Sequence, residues 1–174
     1  MSAVADAMEV RDVMRADAAE LADLLNAIIA KGGTTALEEP FTPEALDRAY
    51  LTGPAVHCCF VAIDSATRRI EGFQTLGRYH TLPDEIGDIG TFARLDGTQR
   101  GVGTALFTAT RTRARTLGLS AINATIRADN AGGLAFYRKQ GFIDHDVVEG
   151  VPLRGGVRID RVIKRYVLTQ TDVD

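Results

Sequence analysis

A mixed α/β (α+β) fold is the class this sequence predicts, with a mostly antiparallel central sheet of about seven strands flanked by helices on both faces. Three observations predict it. Short apolar runs bounded by turn residues outnumber the stretches with a helical period. The early runs are joined by a short polar turn, as hairpins are, whereas the middle of the chain reads strand–helix–strand, which needs a parallel crossover. Finally, 174 residues with 45% hydrophobic and 25% charged side chains have the balance of a globular domain that buries its core without a metal or disulfide. A mixed sheet splays where its antiparallel and parallel parts meet, and such a gap suits a cofactor.

Each element follows from local signals. Residues 1–8 lack periodicity and read as a flexible tail, with a single domain over 9–170. Val10, Val13 and Met14 suggest a first strand. Asp17 with Glu20 is a capping-box-like start, and Leu21, Leu24, Leu25, Ile28 and Ile29 mark one helical face that Gly32–Gly33 ends. Thr42–Pro43 opens a second short helix to about Leu51. His57–Ile63 and Ile70–Tyr79 form a hairpin around the turn Asp64–Arg69, and Asp88–Leu95 is a further strand interrupted by Gly90. A helix over Thr104–Leu117, a strand over Leu119–Ile126 and a helix over Ala131–Gln140 follow, then strands at Phe142–Val148 and Val157–Leu168.

Composition excludes several function classes. A net charge of −3 and a pI near 5.6 leave no basic field for nucleic acid or an anionic membrane surface. No signal peptide and no apolar run approaching 18 residues stands out, so a cytoplasmic location is expected. Cys58 and Cys59 are adjacent and point to opposite faces of a strand, which suits two buried thiols in a reducing compartment rather than a disulfide. No metal-ligand spacing occurs, and His57, His80 and His145 stand alone.

The chemistry concentrates in two stretches. In the first, the strand ending near Leu95 runs into Asp96-Gly-Thr-Gln-Arg-Gly-Val-Gly-Thr104 and then directly into a helix. Glycines let backbone N–H groups crowd an anion, and the helix N-terminus adds unsatisfied donors and its dipole, so a phosphate or pyrophosphate is the natural ligand. A phosphate-binding loop of the Gly-Lys-Ser/Thr kind is excluded because Gly103 is followed by Thr104 and Ala105. A dinucleotide fingerprint lacks its third glycine at Leu106. The second stretch is Asp129-Asn-Ala-Gly-Gly-Leu-Ala-Phe-Tyr-Arg-Lys-Gln-Gly-Phe142.

Together these stretches resemble the GNAT superfamily of N-acetyltransferases. The first resembles its pyrophosphate loop, Gln/Arg-x-x-Gly-x-Gly/Ala, in either of two registers: Gly101 and Gly103 with Thr98 in the Gln/Arg place, or Arg100, Gly103 and Ala105. The second meets Asn-x-x-Ala/Gly-x-x-Phe-Tyr-x-x-x-Gly-Phe at Asn130, Gly133, Phe136, Tyr137, Gly141 and Phe142. The resemblance implies acetyl-CoA as cosubstrate and no metal. It places the pyrophosphate on the amides of Gln99, Arg100, Gly101, Val102, Gly103 and Thr104, and pantetheine along Phe92 and Ala93 and beside Asn130, Gly133 and Phe136. It makes Tyr137 the acid that protonates the departing thiolate. For the general base, the phosphinothricin acetyltransferase-like branch points to Asp88, with Glu85 as the nearby rival. Asp88 is one methylene shorter than that branch's Glu, which favours a water relay.

The same branch implies an amino-acid-like primary amine as acceptor, with Thr35 and Glu39 near the substrate mouth and Arg78 facing a substrate carboxylate. It also suggests a homodimer. Two other readings stay open: acetylation of a protein N-terminus or lysine, and a non-catalytic acyl-CoA-binding sensor module.

Overall fold

The computed structural model describes residues 7–97 and 99–168. Thr98, which stands in the Gln/Arg place of one loop register, and the ends of the chain lie outside them. Seven strands form one sheet: β1 (Met8–Asp12), β2 (Val56–Asp64), β3 (Ile70–Gly77), β4 (Ile86–Ala93), β5 (Ala121–Arg127), β6 (Ile143–Pro152) and β7 (Arg158–Val167). Their spatial order is β1-β2-β3-β4-β5-β7-β6, and every neighbouring pair is antiparallel except β4–β5. The helices are α1 (Ala18–Lys31), α2 (Pro43–Leu46), α3 (Val102–Thr116) and α4 (Ala131–Gln140).

Helices on both faces explain why β2 reads as a continuous apolar run. Cys58, Phe60 and Ala62 join the cluster under α3 and α4, while Cys59, Val61 and Ile63 join the one under α1 and α2. Both thiols are free and buried, on opposite faces as their adjacency requires. On α1, Leu21, Leu24, Leu25 and Ile28 form the buried stripe, and Gly32 closes the helix with φ of 71° and its N–H on Ile28 and Ile29 carbonyls. Under α3, Phe107 packs edge-on against Tyr166 at 5.3 Å and tilts against Phe142 at 5.4 Å. Truncating such a buried ring costs about 3–5 kcal/mol.

Several boundaries differ from the sequence reading, each for a physical reason. β1 begins at Met8 because Met8 and Val10 pack under α3, so the strand enters the expected tail. Asp17 makes no side-chain cap on α1; its carboxylate accepts from both terminal guanidinium nitrogens of Arg11 at 2.9 Å and from the N–H of Met14 at 2.7 Å. Glu20 is likewise spent elsewhere, on Ile70 N–H and Arg94. Thr42 does cap α2, but after Leu46 the chain widens into a π-helical turn, Asp47–Leu51. α3 begins two residues earlier than expected because Gly101 adopts a left-handed conformation, φ 78°, at the N-cap. β3 stops at Gly77, so Arg78 lies just beyond it. β6 runs four residues past Val148, carried by its antiparallel pairing with β7.

The β4–β5 ladder places the site. Parallel pairing holds only Ile86–Ala121, Gly87–Ile122 and Asp88–Asn123. Beyond Asp88 the strands part, and the edge of β4 turned toward β5 carries no ladder pair from Ile89 to Ala93, although its other edge stays paired with β3. The splay expected of a mixed sheet lies at this junction.

Candidate active site

A cavity of about 560 Å³ opens where β4 and β5 diverge. Its walls include Asp88, Thr91 and Phe92 from β4, Gly103 from α3, and Asn130 and Tyr137 from the β5–α4 segment.

One wall is built from the start of α3. The helix's first internal bond runs from Ala105 N–H to Gly101 O at 2.9 Å, leaving the amides of Val102, Gly103 and Thr104 without an intrahelical partner. Gly103 is half-exposed at the cavity, and a Cβ there would lie 2.6 Å from Phe136 Cε2. Gly101 has nothing within 4 Å of such a Cβ, but its positive φ favours glycine. The two glycines are thus needed for different reasons, one for space and the other for conformation. Of the other loop residues, Gln99 is tied to Asp64 by a 2.6 Å bond from its Nε2, and Arg100 is exposed.

At the far wall, Asn130 caps α4: its Oδ1 accepts from Gly133 N–H at 2.9 Å. Its Nδ2 donates to Thr34 O at 2.9 Å, so the same amide fastens the 34–35 loop to α4. A Cβ on Gly133 would come within 2.5 Å of Asn130 Nδ2, which explains the glycine. Arg127 adds a second tie to that loop, from Nη1 to Thr35 O at 3.2 Å, while its fork holds Asp129.

Among the titratable groups that line the cavity, Tyr137 and Asp88 lie nearest the β4–β5 splay. Tyr137 is 7% exposed, and its hydroxyl lies 2.9 Å from Thr91 Oγ1. Burial pushes its phenol up to about 12, against the lowering effect of the Thr91 bond, and the field of Asp88 adds to the rise. Asp88 is also raised above the ordinary carboxylate range by burial, while a 2.9 Å bond from Asn123 Nδ2 and the charge of Arg165 pull it back. At neutral pH Tyr137 is therefore a protonated donor. Asp88, with its basicity strengthened, is suited to receive a proton.

Other sequence candidates are distributed unequally. Phe92, Ala93, Thr35 and Arg78 line the cavity, Arg78 with its guanidinium 3.0 Å from Asp84. Phe92 is stacked on Phe73 at 4.9 Å, which fixes that segment of β4. Glu85 is exposed ahead of β4 and does not line the cavity; its carbonyl accepts from Ser120 N–H. Glu39 does not line it either and pairs with Arg154. Thr104 is turned to Gln140, whose Nε2 donates to its hydroxyl. Sequence reasoning missed Thr91, Gln74, Asn123 and the cavity-lining Tyr50 of the π-helical turn. A polar residue within an apolar strand was the available signal for Gln74 and Asn123.

These residues fit an acyl-CoA. The unpaired β4 edge offers backbone partners to an extended amide chain, the α3 amides offer donors to a pyrophosphate, and Gly103 keeps the approach open.

No curated protein sequence matches the chain. Among solved structures, a GCN5-related N-acetyltransferase from Kribbella flavida superposes with a TM-score of 0.81 at 20% identity, covering 94% of this chain and 99% of that one. A GNAT superfamily phosphinothricin acetyltransferase from Sinorhizobium meliloti, solved in complex with AcCoA, gives 0.79 at 18% identity over 95% and 91%. A ribosomal-protein-alanine N-acetyltransferase from Brucella melitensis gives 0.77 at 18% identity over 92% and 99%. At these identities the likeness is one of fold. The family model described as acetyltransferase (GNAT) family matches residues 34–142, which span the loop after α1, the splayed strands, the glycine loop and α4, and the chain belongs to that family.

Proposed function

We propose that this protein is an N-acetyltransferase that moves the acetyl group of acetyl-CoA to the primary amine of a small, amino-acid-like substrate by direct attack in a ternary complex. One observation carries the reading: a buried protonated phenol and a carboxylate of raised basicity flank the same cavity at the β4–β5 splay. Acetyl-CoA supplies the activated thioester; the chain supplies two proton transfers and an orienting wall. As the amine nitrogen bonds to the acetyl carbon and the C–S bond breaks, Asp88 takes the nitrogen's proton directly or through water. Tyr137 gives its phenolic proton to the sulfur and regains one from solvent. The loop amides from Gln99 to Thr104 hold the pyrophosphate, and Phe92 and Ala93 hold pantetheine.

The acceptor class rests on Arg78, which lines the cavity and whose guanidinium can face a carboxylate. A phosphinothricin acetyltransferase among the fold neighbours supports the same class. The ribosomal-protein-alanine N-acetyltransferase of the same fold keeps a protein N-terminus as the second reading. A thiol-release screen with acetyl-CoA against phosphinothricin, free amino acids, polyamines, aminoglycosides and short peptides tests it. Turnover confined to peptides would overturn the small-substrate reading, and no turnover with any amine would favour the sensor module.

A cytoplasmic location is part of the proposal, supported by two buried free thiols. Among the described residues no helix is long and apolar enough to cross a membrane. A homodimer is proposed as well, through the outer β6–β7 ribbon, where Ile143, Val147, Val148 and Val167 are exposed. Light scattering at tens of micromolar, roughly above common dimer affinities, reads out its mass, and a monomer there refutes it.

A further inference from the structure

Gln74 is a fully buried polar side chain on β3, directly opposite Thr91 of β4. Its Nε2 donates to Thr91 Oγ1 at 2.9 Å, while its Oε1 is buried with no partner among the described residues. A buried acceptor left unsatisfied is costly, and such costs collect where function sets the geometry. The bond has a directional consequence. A hydroxyl that accepts the Gln74 hydrogen bond has its own proton to give, and the other polar atom within reach is Tyr137 Oη, 2.9 Å away. With Thr91 as donor, the phenolic oxygen accepts on its buried side and its proton is directed to the cavity.

Resting on the assignment of Tyr137 as the acid, we propose that Thr91 is a positioning residue for it. Its hydroxyl, aimed by Gln74, donates to Tyr137 Oη, orients the phenolic proton toward the departing sulfur, and holds the oxygen as its charge develops. No extra reactant enters: the sulfur gains the phenolic proton, the phenoxide keeps its electron pair, and the Gln74–Thr91–Tyr137 bonds shorten without transferring protons. The opposed influences on the phenol fit this arrangement, since burial and the field of Asp88 disfavour the phenoxide and the Thr91 bond favours it.

The test needs no amine. Biosynthetic replacement of the four tyrosines by a fluorinated tyrosine, whose phenol is more acidic, brings Tyr137 into an accessible pH range for fluorine NMR, with Tyr137→Phe assigning its resonance. Thr91→Val should raise the Tyr137 midpoint by about one pH unit, the scale of one lost bond to a charged oxygen. Thr91→Ser should restore it, and Gln74→Leu should give a smaller rise because the hydroxyl is then free to rotate. A midpoint unmoved or lowered in Thr91→Val, or a serine variant that behaves like valine, overturns the proposal. Melting of each variant separates a local change from a loosened fold. The acid role fails separately, if Tyr137→Phe keeps full turnover in the thiol-release assay.

Discussion

Asp88 on β4 and Tyr137 on α4 make one physical cause serve opposite ends. Asp88 and Tyr137 both lose solvent at the cavity, and for both the loss disfavours the charged form and raises the pKa. For the carboxyl, the rise makes a stronger base that still ionises when the pH is high enough. For the phenol, it secures a proton ready for donation. The difference lies in the supports. Asp88 is held by an amide and a cation, Asn123 and Arg165, which keep it ionisable. Tyr137 is held by a neutral hydroxyl, with a carboxylate as the nearby charge. The proposed base thus has a cation behind it and the proposed acid does not, and that contrast can be attacked from either side.

The largest effect should come from the acid. Tyr137→Phe should lower kcat about 10²-fold or more, the usual scale for general acid catalysis. The ring's contacts with Phe136 and Phe142, at 5.0 Å each, survive the change, so acetyl-CoA affinity should hardly move. A KM effect in place of a kcat effect would make Tyr137 a wall of the cavity instead of a reactant.

Asp88→Asn should reduce kcat/KM about 10- to 10²-fold at neutral pH and recover in part at high pH, where the amine deprotonates unaided. Glu85→Gln, away from the cavity, should leave the profile alone. The same variant has a stability signature of known sign. Because the folded pKa of Asp88 is raised, its contribution is complete below the unfolded value and is lost as pH rises through the folded one. Asparagine bears no such loss and can still accept from Asn123. The variant should melt at or above the wild-type temperature at neutral pH, and the two should converge in acid. A lower neutral-pH melting temperature would mean that the charge stabilises this site.

In the proposed reading the glycine loop serves binding, apart from proton transfer, and its variants should show what a defect of that kind looks like. Gly103→Val should weaken acetyl-CoA binding by about tenfold or more, since its side chain meets Phe136. Gly101→Ala, which meets nothing but sits at positive φ, should cost about 1–2 kcal/mol of stability with a smaller loss of affinity, read by calorimetry and melting. Equal affinities for both folded variants and wild type would remove this loop from the site.

What the sequence made legible was whatever lies in one continuous stretch. The order of elements, the glycine turn and the run from Asn130 to Phe142 are local patterns, and the structure folds each of them locally. The parting of β4 from β5 was legible only as a general property of mixed sheets. Gln74, Asn123 and Arg165 were not singled out, because their roles arise from strand register: Gln74 opposes Thr91, Asp88 opposes Asn123, and Asn123 opposes Arg165. No spacing along the chain encodes those meetings. Tyr50 was hidden differently, since its place depends on a π-helical turn that carries no sequence signature of its own. Glu39 was expected at the substrate mouth from resemblance, but Arg154 on the β6–β7 connection claims it.

The smallest expected effect is the sharpest probe of the contrast between base and acid. Arg165 donates through Nε to Asn123 Oδ1 at 2.8 Å, and Asn123 donates to Asp88 at 2.9 Å. The guanidinium therefore acts on the carboxylate by its field and by fixing which end of the amide faces Asp88. Arg165→Gln removes the field and keeps a donor for Asn123. The Asp88 pKa should then rise further, and the acid limb of kcat/KM should move to higher pH. Activity near the limb should fall a few-fold, roughly what a shift of half a pH unit produces, while the plateau above it should hold because the carboxylate that remains is the stronger base. Arg165→Lys, which retains charge without the fork, should sit between the two. Tyr137, supported by Thr91 and not by this chain of bonds, should keep its own titration. If the limb stays fixed while the plateau drops, Arg165 orders the strand without tuning the base, and Asp88 owes its ionisation to Asn123 alone.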